Sequence, residues 1–233
     1  MVLQENQIGA FFELCYDLTL KLNELLGIGL AVDPPDFFKS AHLRERGSSG
    51  NTLRFLYYPP FDNINAERED VRAGAHSDYG SITLLFRLKG QAGLEIQTQE
   101  GQWAPVPVSP PGTENDPAPP ILVNMGDLLS YWTNGLLRSA VHRVIFPGPG
   151  KRAVYGETDI EPRYSIAFFC HPVGSCSLEE VPSERVKNHA TAPAQTSNGN
   201  PYAKRKVMTA DEHLQMRLRA SYLQLYDDDT KAA

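Results

Sequence analysis

Gly74-Ala75-His76-Ser77-Asp78, followed closely by Ser81-Ile82-Thr83-Leu84-Leu85-Phe86-Arg87-Leu88, is the stretch on which the reading of this chain turns. Its second half alternates: Ile82, Leu84, Phe86 and Leu88 share one face of an extended segment, and Thr83, Leu85 and Arg87 share the other. In the first half, His76 and Asp78 stand two residues apart. If the backbone is extended there, side chains at i and i+2 point the same way, so an imidazole and a carboxylate converge on one point. A surface turn with a hydrogen-bonded histidine uses the same tripeptide, so other residues have to decide.

Around this stretch the chain reads as a series of short strands. Leu53–Tyr58 is rich in strand formers and stops at Pro59-Pro60. Gly93–Thr98 and Gln102–Val108 pair as a hairpin across Gln99-Glu100-Gly101. Five prolines between residues 109 and 120 mark a loop. Ile121–Val123, Asp127–Tyr131, Ser139–Phe146 and Tyr164–His171 continue the series. Short strands separated by Gly/Pro turns point to a sandwich, jelly roll or barrel.

Helices flank this β core. Over residues 4–28, Ile8, Phe11, Phe12, Cys15, Leu18, Leu22, Leu25 and Leu26 recur at helical spacing, and Gly27 and Gly29 are expected to end the helix. Residues 182–208 are polar and aperiodic, a surface excursion. Thr209-Ala210-Asp211-Glu212 is a capping box that opens a closing helix over 209–226, with Leu214, Leu218, Tyr222 and Leu225 on one face. The expected organisation is one domain across 1–233, with the β core over about 52–175.

Composition narrows the function classes. Hydrophobic residues make up 41% and charged residues 21%, an ordinary globular balance. The net charge of −6, with no dense basic cluster beyond Lys204-Arg205-Lys206, argues against nucleic acid as partner. Residues at the start show no basic-then-apolar leader, and no apolar run approaches membrane-spanning length, so a cytoplasmic protein is expected. Cys15, Cys170 and Cys176 are too few and scattered for a disulfide framework. Cys170-His171 with Cys176 fits no common zinc spacing.

The converging pair at 76 and 78 needs a third ligand. His142 lies in a β-like segment where it shares an otherwise apolar face with Ala140, Val144 and Phe146. Two histidines and a carboxylate form the facial triad of non-haem Fe(II) oxygenases. A further signal follows in Pro162-Arg163-Tyr164-Ser165-Ile166-Ala167-Phe168-Phe169. As a strand, this places Arg163, Ser165, Ala167 and Phe169 on one face. If that face is interior, Arg163 calls for an anion, and a planar guanidinium matches a carboxylate in bidentate fashion. The alternative puts Arg163 in solvent and Tyr164, Ile166 and Phe168 in the core.

Taken together, His76-Ser77-Asp78, His142-Arg143-Val144 and Arg163-Tyr164-Ser165 resemble the iron(II)/2-oxoglutarate-dependent oxygenases of the isopenicillin N synthase-like branch. Leu56-Tyr57-Tyr58-Pro59-Pro60, Gly93-Leu94-Glu95-Ile96 before Trp103, Asn124-Met125-Gly126-Asp127 and Thr133-Asn134-Gly135 match in order and spacing. The resemblance runs from about residue 5 to 225. It implies a mainly β fold with flanking helices, a double-stranded β-helix or jelly roll, holding Fe(II) on His76, Asp78 and His142. It implies 2-oxoglutarate as cosubstrate, with its far carboxylate on Arg163 and Ser165 and Tyr58 as a further donor. O2 is the co-reactant, ascorbate a reductant, and succinate and CO2 are products. The substrate is expected to be a small organic molecule, hydroxylated or desaturated, as in secondary metabolism. Phe169 is a candidate substrate contact, with plain core packing the equal alternative.

Two other readings stay open. One is a 2-oxoglutarate-independent Fe(II) oxidase of the same branch, in which Arg163 and Ser165 hold a substrate carboxylate. The other is a non-catalytic relative. The chain also departs from the family pattern. Leu56 stands where plant members commonly have Asn, and Pro147-Gly148-Pro149-Gly150 reads as a loop insertion. Family members carry a further N-terminal region, so the jelly roll is expected to be incomplete at its N-terminal strands. Self-association through an exposed sheet edge is the corresponding expectation.

Overall fold

Among the described residues, eight strands form two antiparallel sheets that face each other, and helices cover the outside of one of them. The computed structural model describes residues 5–59, 70–146, 162–191 and 206–231. The first sheet has the order β1 (Thr52–Tyr58), β8 (Arg163–Cys170), β3 (Ile82–Arg87), β6 (Leu122–Met125). The second has the order β2 (Asp70–His76), β7 (His142–Phe146), β4 (Leu94–Gln97), β5 (Trp103–Pro105). Most neighbours in each sheet are distant in sequence, as a jelly roll requires. The Pro147–Gly150 segment lies outside the described residues.

The alternation in β3 has its physical cause in this layering. Ile82 and Leu84 are fully buried in the apolar core, while Thr83 and Leu85, pointing the other way, line the cavity between the sheets. Helix α1 (Glu5–Gly29) covers the outer face. Phe11 meets Phe86 edge-on at 5.0 Å, and Phe12 meets Phe168 at 5.1 Å. Phe11 and Phe12 are partly buried, so each contributes a fraction of the ~1.5–3 kcal/mol of a fully buried aromatic. The short helix α2 (Phe37–Ala41) adds Phe38, which packs on Trp132 at 5.3 Å.

Several expectations are corrected. Leu25 is 62% exposed, while Phe11, Phe12, Cys15, Leu18, Leu22 and Leu26 of the expected stripe do meet the core, joined on the buried face by Tyr16, Thr19, Asn23 and Gly27. Gly27 does not end the helix. A Cβ there would lie 2.0 Å from the Pro35 carbonyl oxygen, so glycine lets the following loop pack against the helix. Asp127–Tyr131 is not a strand but part of α3 (Asp127–Trp132). Its first N–H groups have no partner within the helix, and those of Asp127 and Leu128 donate to the carbonyls of Asp78 and Gly80. Tertiary context thus overrides an apolar run too short to identify by periodicity. The polar stretch after residue 182 contains α4 (Glu184–Thr191), with Val186 fully buried.

The closing helix α5 spans Ala210–Lys231. Its capping box is complete: Thr209 N–H donates to Glu212 at 2.8 Å and Glu212 N–H donates to Thr209 Oγ1 at 3.2 Å. The side chains of Tyr222 and Leu225 lie outside the described set. No helix among the described residues is long and apolar enough to cross a membrane.

Candidate functional site

The strand pair β2–β7 places the two histidines. His76 and His142 are register partners, and the pairing shifts between Ala73 and His76. An irregularity of this kind re-aims a side chain at a strand end. The imidazole centroids lie 4.4 Å apart. His76 Nδ1 is 2.7 Å from the Gly74 carbonyl oxygen, and His142 Nδ1 is 3.0 Å from that of Ala140. A carbonyl can only accept, so each ring carries its proton on Nδ1. In the neutral ring that leaves the Nε2 lone pair free for a ligand.

Asp78 follows directly after β2 and is buried. Its Oδ2 accepts from Thr83 Oγ1 at 2.7 Å and from Asn124 Nδ2 at 2.8 Å. Its Oδ1 points instead at His142 Nε2, 3.7 Å away. One oxygen is therefore fixed by the protein, and the other faces the histidines. One ligand atom from each of His76, Asp78 and His142 can be chosen so that all lie within 4.8 Å of one another. Two donors each about 2.1 Å from one ion stand up to about 4.2 Å apart, so the 3.7 Å pair already spans a metal. The donor set of two neutral imidazoles and one carboxylate suits Fe(II). The three cysteines are free, and the triad is the one such cluster among the described residues.

A second set of contacts holds this segment in place. Ser77 Oγ donates to Asp127 Oδ2 at 2.9 Å, and Arg217 of α5 pairs with the same oxygen at 2.8 Å. Tyr79 OH meets Ser221 Oγ at 2.5 Å. Gly126 sits where a Cβ would be 2.2 Å from the Gly80 carbonyl oxygen, so the β6–α3 turn packs directly on the ligand segment.

The cavity runs from the triad inward between the sheets. Its walls include Leu56, Leu85, Leu94, Ile96, Leu122 and Val144. Arg163, Ser165, Ala167 and Phe169 all line it, so the face with Arg163 is the interior one and Tyr164 is the exposed residue. Arg163 is 2% exposed. Its Nη1 reaches Ser165 Oγ only at 3.5 Å, its guanidinium lies 5.1 Å from the Tyr58 ring centre, and its Nε has no partner. Among the described residues, no carboxylate pairs with it. Burial pushes its pKa down, against the opposing influence of Tyr58. A buried, partly unsatisfied guanidinium facing a cavity is a fit for an anion.

All seven residues singled out from sequence for the site thus line one cavity. Sequence reasoning assigns no role to Thr83, Asn124, Asp127 or Arg217. For Thr83 the signal is present: a polar residue on the inward face of an otherwise apolar strand. For Arg217, the sequence alone carries none.

Comparison with known proteins agrees with this geometry. The profile of the 2OG-Fe(II) oxygenase superfamily matches residues 49–172. A UPF0676 protein of Schizosaccharomyces pombe is 40% identical over 176 residues, covering 73% of this chain and 47% of that protein. The 2-oxoglutarate-dependent dioxygenase htyE of Aspergillus rugulosus is 35% identical, covering 78% of this chain and 53% of its own. The chain thus spans about half the length of these curated relatives. A full-length Neurospora crassa protein, crystallised with alpha-KG and thymine, superposes with a TM-score of 0.68 at 31% identity. That match covers 94% of this chain and 57% of the other.

Proposed function

The chain belongs to the 2OG-Fe(II) oxygenase superfamily, and from that premise we propose that it binds Fe(II) and 2-oxoglutarate and oxidises a small organic molecule. The observation that carries this reading is the pairing of two features in one cavity. A pre-shaped His76/Asp78/His142 triad stands at one end, and a buried Arg163 without a carboxylate partner among the described residues stands deeper in.

The residues divide the work. His76, His142 and Oδ1 of Asp78 would hold the metal, with Thr83 and Asn124 keeping Asp78 aimed by occupying its other oxygen. Arg163 would bind the far carboxylate of 2-oxoglutarate, with Ser165 adding a hydroxyl donor and Tyr58 flanking the guanidinium. The apolar walls, from Leu56 to Val144, exclude water between the two ends and strengthen both charge contacts. Leu56 gives that wall no hydrogen bond, so anchoring rests on the Arg163 end. When bound, iron, 2-oxoglutarate and O2 supply oxidation coupled to decarboxylation, giving succinate and CO2. Phe169 lies on the cavity wall two strand positions beyond Ala167 and is the candidate substrate contact. The similar Neurospora protein crystallised with thymine supports a small-ring substrate.

Anaerobic titration with Fe(II), with and without 2-oxoglutarate, tests this. One iron per chain and metal-dependent 2-oxoglutarate binding are expected. Iron binding without 2-oxoglutarate binding would mean a 2-oxoglutarate-independent oxidase. Binding of neither would mean a non-catalytic relative.

A further inference from the structure

Arg87 is the last residue of β3, and its strand register sets it directly opposite Ser165. Ser165 is flanked on its other side by Leu56, so Leu56, Ser165 and Arg87 form one row across three strands. Arg163 is two residues back along β8, in the adjacent row. Thr83 and Leu85, on the same face of β3, line the cavity. Arg87 itself is only 6% exposed. Its Nη1 donates to the carbonyls of Pro107 at 3.0 Å and Val106 at 3.5 Å, while its Nε has no partner. The guanidinium therefore reaches from the first sheet to the segment that follows β5 in the second, behind Ser165.

A second buried guanidinium thus lies behind Ser165, outside the cavity wall that Arg163 and Ser165 form, and among the described residues neither guanidinium pairs with a carboxylate. Burial lowers the pKa of Arg87, and the neighbouring Arg163 charge lowers it further. Like charges buried near one another repel, and a ligand carboxylate held at Arg163 and Ser165 lowers the field at both. A ligand lacking a charge at that end relieves neither. Resting on the cosubstrate reading above, we propose that Arg87 is a second cationic determinant of the cosubstrate site. It selects 2-oxo acids that carry a second carboxylate, acting through the field it adds beside Arg163 and Ser165. A purely structural Arg87, joining the two sheets through Pro107, makes a different prediction: its loss affects every ligand alike.

The test measures binding to the full chain loaded anaerobically with Mn(II), by calorimetry. The two ligands are 2-oxoglutarate and 2-oxopentanoate, which has the same chain length but no far carboxylate. Arg87→Gln keeps a donor for the Pro107 carbonyl and removes the charge; Arg87→Lys keeps the charge. In Arg87→Gln the 2-oxoglutarate Kd is expected to rise about 10-fold, with 2-oxopentanoate unchanged to within about twofold. Arg87→Lys is expected to retain most of the preference. Equal weakening of both ligands, or unchanged 2-oxoglutarate binding in Arg87→Gln, overturns the proposal. If the wild-type protein binds no 2-oxoglutarate, the cosubstrate reading itself fails. If wild type binds it and Arg163→Leu loses it while Arg87→Gln does not, only the role of Arg87 fails.

Discussion

The two ends of the cavity are built on opposite principles. At the metal end nearly every polar atom has an assigned protein partner. The Nδ1 atoms face carbonyls, and one Asp78 oxygen takes two donors. Only the atoms that would meet a metal are left over. At the inner end, Arg163 keeps a buried Nε without a partner, and so does Arg87 behind the Ser165 wall. The first end is pre-organised by its own neighbours, whereas the second is complete only with an anion. Mutations should therefore behave differently at the two ends. At the first, losing a supporting residue loosens the site. At the second, losing the charged residue removes ligand binding while sparing the fold.

The largest effect is expected at the metal end. Asp78→Ala should abolish Fe(II) binding, measured as metal content after anaerobic reconstitution. His142→Ala should do the same. If either variant binds iron with wild-type affinity, the triad is misassigned.

Acid should distinguish the scaffold from both ends. His42, His171 and His213 lie outside the triad, and burial pushes each of their pKa values down to about 4. Each stays neutral in the fold while its unfolded counterpart, titrating near 6.5, takes up a proton as pH falls. Their contribution is therefore intact above about pH 6.5 and is lost as pH drops toward 4, by up to ~1.4 kcal/mol per imidazole per pH unit. Chemical denaturation at about pH 7, 5.5 and 4.5 should show a steepening loss of stability. A flat profile through that window would mean these imidazoles are not held neutral.

At the inner end, Arg163→Leu should weaken 2-oxoglutarate binding by ~2–4 kcal/mol, the scale for removing one partner of a charge pair. Iron affinity should not change. The ligand-free protein should be no less stable than wild type, because a buried charge without a carboxylate partner among the described residues has been removed. A marked drop in the melting temperature of the ligand-free variant would show that Arg163 is satisfied by the protein after all. A smaller effect is expected from Asn124→Ala, which removes one of the two donors on Asp78. Iron affinity should fall by ~10-fold, the lower end of the range for residues that orient a metal ligand. Unchanged affinity would mean that Thr83 alone fixes the carboxylate.

What is legible in the sequence follows the same divide. Residues that must point inward leave a period-two trace, so alternation alone puts Arg163, Ser165 and Phe169 on one face. His76, Asp78 and His142 are legible because a metal site requires those residue types. Supporting contacts are not. Arg217 meets Asp127 across ninety residues of chain, and its helix offers no pattern that marks that side chain. Helix α3 reads as a strand because its N-terminus is satisfied by carbonyls of a distant segment, which a local reading of Asp127–Tyr131 cannot contain. Leu25 fails for a simpler reason. A 25-residue helix has room for apolar residues on more than one face, and spacing alone does not say which face meets the sheet.

The central claim is that the triad and Arg163 form one site for one ligand. The most direct measurement is the anaerobic affinity for 2-oxoglutarate of four samples: wild type and Arg163→Leu, each with and without Fe(II). The account predicts tight binding only in iron-loaded wild type, and clear losses when either the metal or the guanidinium is removed. Equal 2-oxoglutarate affinity with and without iron, or equal affinity in iron-loaded wild type and Arg163→Leu, would contradict it.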